Sequence, residues 1–336
     1  TLRCMRQLVV AAIGLAGLGA VPGAQADLTV LRGGQVVDVA AGTVSAPMDV
    51  VMRAGRIDHI GATGSAAPAG ATVVDVSGRF LLPGLLATHV HVSDVDGLKP
   101  RAYTAANTHR QLALYARYGI TSVWSLGGEQ APAFEARRAH TTGPVDRARI
   151  FLAGEIVASA TPEAARADVA RIAATQPDWI KIRVDDNLGL SRKMPPEVYT
   201  AVIQEAHARG LRVTAHIFYL DDAKALVRAG VDMIAHSVRD RPVDEEFIAL
   251  MKTRGVPYSP TLTREVSTFV YESEPGWFAD PFFLRDADPA MVARLREPDR
   301  QAAMAANTGA RAYKAALPTA MANLKRLADA GVTITM

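Results

Sequence analysis

The sequence predicts an α/β protein: a (β/α)8 TIM barrel behind a small N-terminal β-sandwich-like domain. Beyond residue 83, short apolar runs alternate with helix-period stretches, and eight such runs fit within about 250 residues, the usual span of this barrel. Residues 27–82, by contrast, hold only short Val-rich runs broken by Gly, the pattern of a small all-β unit. The 336-residue chain is 49% hydrophobic and 21% charged with a single Cys, which excludes a disordered or disulfide-stapled chain. A doubly wound open sheet is the alternative reading of the same alternation.

The first element is a leader. From Met5 the chain carries Arg6, an apolar run over residues 8–21, and then Ala24-Gln25-Ala26 before Asp27, the layout of a secretory signal peptide. That run of 14 residues is shorter than the roughly 18–20 needed to span a bilayer, so no stable membrane anchor is expected. Cleavage after Ala26 removes Arg3 and Arg6 and no acidic residue. Lys+Arg then falls from 37 to 35 against 34 Asp+Glu, and the net charge of +3 becomes +1. The basicity gives no support to nucleic-acid binding. Cys4 leaves with the leader, which excludes thiolate metal sites and Cys nucleophiles and suits an exported, periplasmic protein.

The β domain follows with runs at residues 28–31, 35–39, 49–52, 56–60 and 72–76. After Pro83-Gly84 come strand candidates at 85–92, 120–126, 150–157, 179–184, 212–217, 233–238, 256–262 and 332–336. Helical patterns lie between them at 104–118, 162–175, 195–209, 221–229, 243–254 and 317–330. Residues 263–316 hold a long segment rich in aromatics, among them Phe269, Tyr271, Trp277, Phe278, Phe282 and Phe283, which reads as an apolar lid over a substrate in preference to a dimer contact.

Strand side chains alternate with period 2, so each strand's faces can be separated. On the first strand Ala87, His89 and His91 share the face opposite Thr88, Val90 and Val92. On the fourth, Trp179, Lys181 and Arg183 oppose Ile180, Ile182 and Val184. On the fifth, Thr214 and His216 oppose Val213, Ala215 and Ile217. On the sixth, Ile234 and His236 oppose Met233 and Ala235. Four strands thereby aim His or Lys at one interior, near the C-terminal strand ends where barrels build active sites. Unpaired charge there costs several kcal/mol per ion, so something must compensate it, and a metal centre would. Singly, each residue has a bland explanation: His-x-His arises by chance, and a lone strand-end His is more often a hydrogen-bonded core residue. Together they read as a metal site. His59, His109, His140 and His207 fall outside the pattern and read as surface residues.

These residues also carry a resemblance. GRFLLPGLLATHVH (78–91), WIKIRVDD (179–186), VTAHIFYLDDAKALVRAGVDMIAHS (213–237) and ADAGVTITM (328–336) resemble, in order, the barrel motifs of the amidohydrolase superfamily, in its imidazolonepropionase-like and Xaa-Pro dipeptidase-like branch. The resemblance implies a metal-dependent amidohydrolase that hydrolyses the C–N bond of a small amide, a dipeptide or N-acyl amino acid, by a metal-bridging hydroxide. It implies two divalent metal ions, zinc by the ligand chemistry. His89 and His91 would hold one and His216 and His236 the other, with a carboxylated Lys181 between them. It further implies a general acid/base Asp at the end of the eighth strand. That strand reaches Met336 without one, so the Asp is expected just after Met336 and the barrel is expected to be incomplete at its C-terminus. Ala87 and Trp124-Ser125 depart from the residues common in relatives, which weakens the choice of substrate. Arg183, Tyr219 and Arg239 lie where a substrate carboxylate could be held or, equally, where a structural ion pair with Asp185, Asp186 or Asp240 could form. Self-association is left open. The alternatives are a mononuclear cyclic amidohydrolase or deaminase, imidazolonepropionase-like, and a non-catalytic metal-binding barrel.

Overall fold

The structure, a computed structural model, describes residues 28–140 and 146–336, and the predicted leader lies outside them. The chain divides between Pro83 and Gly84 into two units.

The first unit is a single mixed sheet. Strands β1 (Leu28–Asp38) and β2 (Thr43–Arg53) pair antiparallel, and β3 (Arg56–Ala62) joins β2 across Ala54-Gly55, both at positive φ (50° and 74°). β4 (Thr72–Asp75) and β5 (Phe80–Leu81) both run parallel to β1. Buried Asp49 pins the fold of this unit by accepting from Gly33 N at 2.9 Å and Thr63 Oγ1 at 2.7 Å. One sheet stands where the sequence suggested a sandwich-like pair, because β1 is long and bulged enough to take β2, β4 and β5 along its two edges.

The second unit alternates strands and helices. β6 (Leu85–Val90) is followed by the short hairpin β7 (Val95–Asp96) and β8 (Lys99–Pro100), then α1 (Ala105–Arg117), β9 (Ile120–Ser125), α2 (Ala131–Ala139) and β10 (Arg149–Leu152). β11 (Ile156–Val157), α3 (Pro162–Ala173), β12 (Trp179–Arg183), α4 (Pro196–Ala208), β13 (Arg212–His216), α5 (Leu220–Ala229), β14 (Met233–Ala235), α6 (Glu245–Arg254) and β15 (Tyr258–Ser259) continue the pattern. The helices begin where their caps say they should. Thr104, Thr161 and Asp244 accept from the backbone N of Asn107, Ala164 and Phe247, and α5 and α6 end on the left-handed glycines Gly230 and Gly255. Beyond β15 come α7 (Leu262–Ser267), α8 (Pro281–Leu284), α9 (Pro289–Leu295), α10 (Pro298–Ala306) and the 22-residue α11 (Thr308–Asp329).

The parallel strands form two sheets, β6–β9–β10 in one and β11–β12–β13–β14–β15 in the other. The predicted third strand, 150–157, is divided between them: Gly154 at φ 74° turns the chain out of the β9 ladder, and β11 then pairs with β12. The predicted seventh strand shrinks to two residues, since Leu262 already begins α7. The predicted eighth strand is one parallel bridge, Tyr258 to Ile334, with backbone bonds from Thr335 N to Tyr258 O (2.9 Å) and from Thr88 N to Met336 O (2.6 Å). Ile180, Ile182, Val184, Val213, Ala215 and Ile217 bury themselves among apolar side chains of α3 to α6.

Part of the aromatic segment packs on itself. Phe278, Val292 and Leu295 form a small core with Tyr271 and Phe283 against them, while Trp277 and Phe282 stay exposed. Among the described residues no helix is long and apolar enough to cross a membrane.

Candidate metal centre

β12 and β13 present their side chains as period 2 requires: Lys181 and His216 turn away from the faces that bury Ile180, Ile182, Val213 and Ala215. β6 does not. Its register against β9 shifts between Ala87 and Val90, and these two pack on Leu112 of α1. Thr88 and His89, consecutive in the chain, therefore both point away from α1: Thr88 Oγ1 donates to Thr335 Oγ1 at 3.0 Å, and His89 reaches Lys181. β14 also departs from the simple alternation. Ile234 belongs to the helix-facing core while Met233 packs with Trp124 and Trp179. His236 reaches the cluster only because its backbone takes the left-handed φ of 70°, which reverses the side chain's direction.

The result is one group of four imidazoles and an amine. His89 lies with its ring centroid 4.5 Å from His236 and 5.3 Å from His91, and His216 stacks edge-on to His236 at 4.2 Å. Lys181 Nζ is 3.0 Å from His89 Nε2. Three of the rings are held from outside: His91 Nδ1 donates to Gly127 O at 2.9 Å, His216 Nε2 meets Asp185 Oδ2 at 3.1 Å, and His236 Nδ1 meets Thr261 Oγ1 at 2.6 Å. Thr261 is itself left-handed, at φ 49°.

Burial sets the charges. Desolvation, reinforced by the Lys181 cation, holds the His89 and His91 imidazoles below their usual range. His236 falls well below as well, through burial and its neighbouring rings. His216 drops to about 3 through burial, which outweighs the opposing pull of Asp185. All four rings are neutral near pH 7, the form that ligates a metal. Lys181 is pushed down to about 7 by burial. Asp185, although burial opposes it, is kept well below the carboxylate range by His216 and by Arg183 at 2.7 Å.

The donor chemistry fits a divalent cation. His89 Nδ1 is buried with no hydrogen-bond partner, and four neutral imidazoles face a lysine that carries no carboxylate contact. Among the described residues, however, no three His, Cys, Asp or Glu side chains are arranged around a single ion position. His89 and His216 direct Nε2 at Lys181 and Asp185, so ligation requires those two contacts to exchange.

The predicted carboxylate binders separate. Arg183 is paired to Asp185, and Tyr219 donates to Asp186 Oδ1 at 2.8 Å; both remain partly exposed. Arg239 does not face the site as a free guanidinium. It is 2% exposed, ion-paired to Glu265 at 3.2 Å and set over the rings of Phe218 and Tyr313. A cavity of 840 Å³ lies elsewhere on the strands, lined in part by Trp124, Trp179, Arg212 and Asp232, and holds none of the clustered imidazoles.

Sequence reasoning passed over Glu129. It is 3% exposed, in the loop after β9, and burial pushes it up to about 7 even though it accepts from Ser125 Oγ and from the backbone of Gly127 and Gly154. The only sequence signal was a lone acid after Gly127-Gly128, which is ordinary loop composition.

Known proteins resemble the chain. An uncharacterized protein of Mycobacterium tuberculosis is 30% identical over 206 residues, 57% of this chain and 52% of that protein. A dihydroorotase of Geobacter sulfurreducens is 42% identical over 93 residues, 28% of this chain and 20% of the enzyme. An adenine deaminase of Paracoccus denitrificans is 40% identical over 84 residues, 25% of this chain and 14% of the enzyme. The chain thus spans about half the length of the first of these and a smaller share of the others. Among solved structures, a Xaa-Pro dipeptidase with bound methionine superposes with a TM-score of 0.71 at 20% identity, covering 92% of this chain and 78% of that one. A prolidase complexed with N-methylphosphonate-L-proline gives 0.69 at 23% identity, covering 91% and 77%. No family model matches the chain. The likeness to the solved structures establishes a shared fold, and the resemblance read from the four motifs is borne out by these relatives.

Proposed function

We propose, from the premise that this chain has the amidohydrolase fold and relatives of that superfamily, that it is the metal-binding core of a hydrolase acting on the C–N bond of a small amide. The observation that carries the reading is the convergence of four neutral imidazoles on the buried amine of Lys181. His89 and His91 would hold one divalent cation and His216 and His236 a second. A carbamate on Lys181 would lie between them and replace an inward cation with an anion. Zinc suits this nitrogen and oxygen donor set. Bound metal supplies a polarised carbonyl and a water acidified to near neutrality.

The chain's own side chains do the remainder. Gly127 O, Asp185 and Thr261 set the orientation of His91, His216 and His236. Arg183 and Tyr219, at the exposed rim, would hold a substrate carboxylate by exchanging their present Asp185 and Asp186 contacts. The two parallel sheets are read as arcs of one (β/α)8 barrel, which the Thr88 to Met336 and Tyr258 to Ile334 contacts support. The signal-like pattern at residues 5–26 would, as a leader, carry the protein out of the cytoplasm.

A dipeptide or N-acyl amino acid is the favoured substrate class, on the likeness to the dipeptidase fold. The second reading, a cyclic amidohydrolase or deaminase, is favoured by the sequence relatives named dihydroorotase and adenine deaminase. A hydrolysis panel on zinc-loaded protein, with Xaa-Pro dipeptides, N-acyl amino acids, dihydroorotate and adenine, separates them. Turnover of the linear amides supports the first reading, turnover confined to the cyclic amide or adenine supports the second, and turnover of none removes both.

A further inference from the structure

Glu129 lies outside the imidazole cluster, yet its carboxylate ties together the C-terminal ends of all three strands of one sheet. Oε1 accepts from Ser125 Oγ at 2.7 Å at the end of β9, and the same hydroxyl oxygen accepts from Val92 N at 2.9 Å just past β6. Oε2 accepts from Gly154 N at 2.8 Å just past β10, and both oxygens accept from Gly127 N, at 2.9 and 3.1 Å. These bonds converge on one peptide unit. Gly128 N, on the Gly127–Gly128 peptide, donates to Gly154 O at 2.9 Å, and Gly127 O at the other end of that peptide accepts from His91 Nδ1 at 2.9 Å. Gly127 has φ 116°, and a Cβ there would lie 2.5 Å from Ile156 and 3.2 Å from the Lys181 stem, so this peptide sits against the lysine as well.

A carbonyl oxygen can only accept. His91 must therefore carry its proton on Nδ1, which leaves Nε2 with a free lone pair. The geometry points to Glu129 as a positioning residue that fixes the His91 tautomer through the Gly127–Gly128 peptide. Among the described residues no side chain other than Glu129 bonds the backbone on both sides of that peptide, at Gly127 N and, through Gly154, at Gly128 N. The tautomer claim stands on this chain's own residues; its value for metal binding rests on the proposed function.

The test is made on metal-free protein. Nitrogen-15 NMR of the His91 ring reads the tautomer directly, in the wild type, in Glu129→Gln, which keeps the volume but turns an NH2 toward the backbone donors, and in Glu129→Ala. Asn323→Ala is the control: Asn323 is buried, bonds Val238 O and Arg241 O, and shares no partner with Glu129. The wild type and the control should show a single Nδ1–H form, and both Glu129 variants should show a mixture. Zinc affinity by chelator competition should fall about 10- to 100-fold in the Glu129 variants, the usual loss for an outer-shell partner. An unchanged His91 tautomer in both variants, or an equal change in the control, would overturn the inference even if zinc binds normally. A tautomer shift in a protein that binds no zinc would uphold it and sink the metal reading instead.

Discussion

Two buried basic side chains, one on β12 and one just past β14, meet opposite surroundings. Lys181 and Arg239 are each 2% exposed. Around Arg239 the charge meets opposing partners, a carboxylate at 3.2 Å, the carbonyl of Ser237 at 2.8 Å and two aromatic faces, although Nε and Nη2 make no hydrogen bond. Around Lys181 there is an imidazole at 3.0 Å and three further rings, none of which offsets a positive charge, and the Glu129 carboxylate acts on it through space with no direct bond. Arg239 has the partners of a structural ion pair. Lys181 has the surroundings of a neutral amine among four imidazoles. The difference separates a piece of scaffold from a site.

The largest expected effect comes from acid. Each of the four imidazoles has a folded pKa below its unfolded value near 6.5, so below that pH the unfolded chain binds protons that the folded chain refuses. The stability these four rings contribute to the metal-free protein is fully present above pH 6.5 and is lost as pH falls toward about 3, where His216 titrates. The slope should reach about 1.4 kcal/mol per pH unit for each ring. Glu129, shifted upward, contributes in the opposite sense between about 7 and 4.5 and offsets part of this. Urea unfolding at several pH values reads the slope, and a His216→Asn/His236→Asn double variant should flatten it.

Next in size is the scaffold pair. Glu265→Ala strands Arg239 without its carboxylate and should cost about 3–5 kcal/mol in denaturant unfolding, with no change in zinc stoichiometry. Lys181→Met should do the reverse: metal-free stability unchanged or higher, because a desolvated cation is replaced by an apolar side chain of similar length, while zinc binding drops. A Lys181→Met loss as large as the Glu265→Ala loss would erase the contrast. Smallest is Thr104→Ala, which removes the cap of α1 far from both clusters and should cost about 1 kcal/mol of thermal stability alone.

The contrast between β12 and β6 also shows what sequence can and cannot reveal. Regular strands such as β12 and β13 declare their faces, and Lys181 and His216 were legible for that reason. Where the ladder slips, as between Ala87 and Val90, or where His236 adopts a positive φ, the inward direction comes from a backbone irregularity that period 2 does not encode. His89 and His236 were chosen correctly as clustered residues, but the reading of their strands placed Thr88 and Ile234 on the wrong sides. The split of 150–157 turns on the single residue Gly154. Glu129 was invisible because its partners are backbone groups from three strand ends, and only the folded chain brings those donors together.

The central claim is that the Lys181 cluster is a two-metal site. Equilibrium dialysis against buffered zinc, followed by elemental analysis of metal per chain, tests it most directly. The account predicts two equivalents for the wild type and a loss of at least one in both Lys181→Ala and His216→Ala; no zinc above the buffer level, or two equivalents retained in both variants, would contradict it.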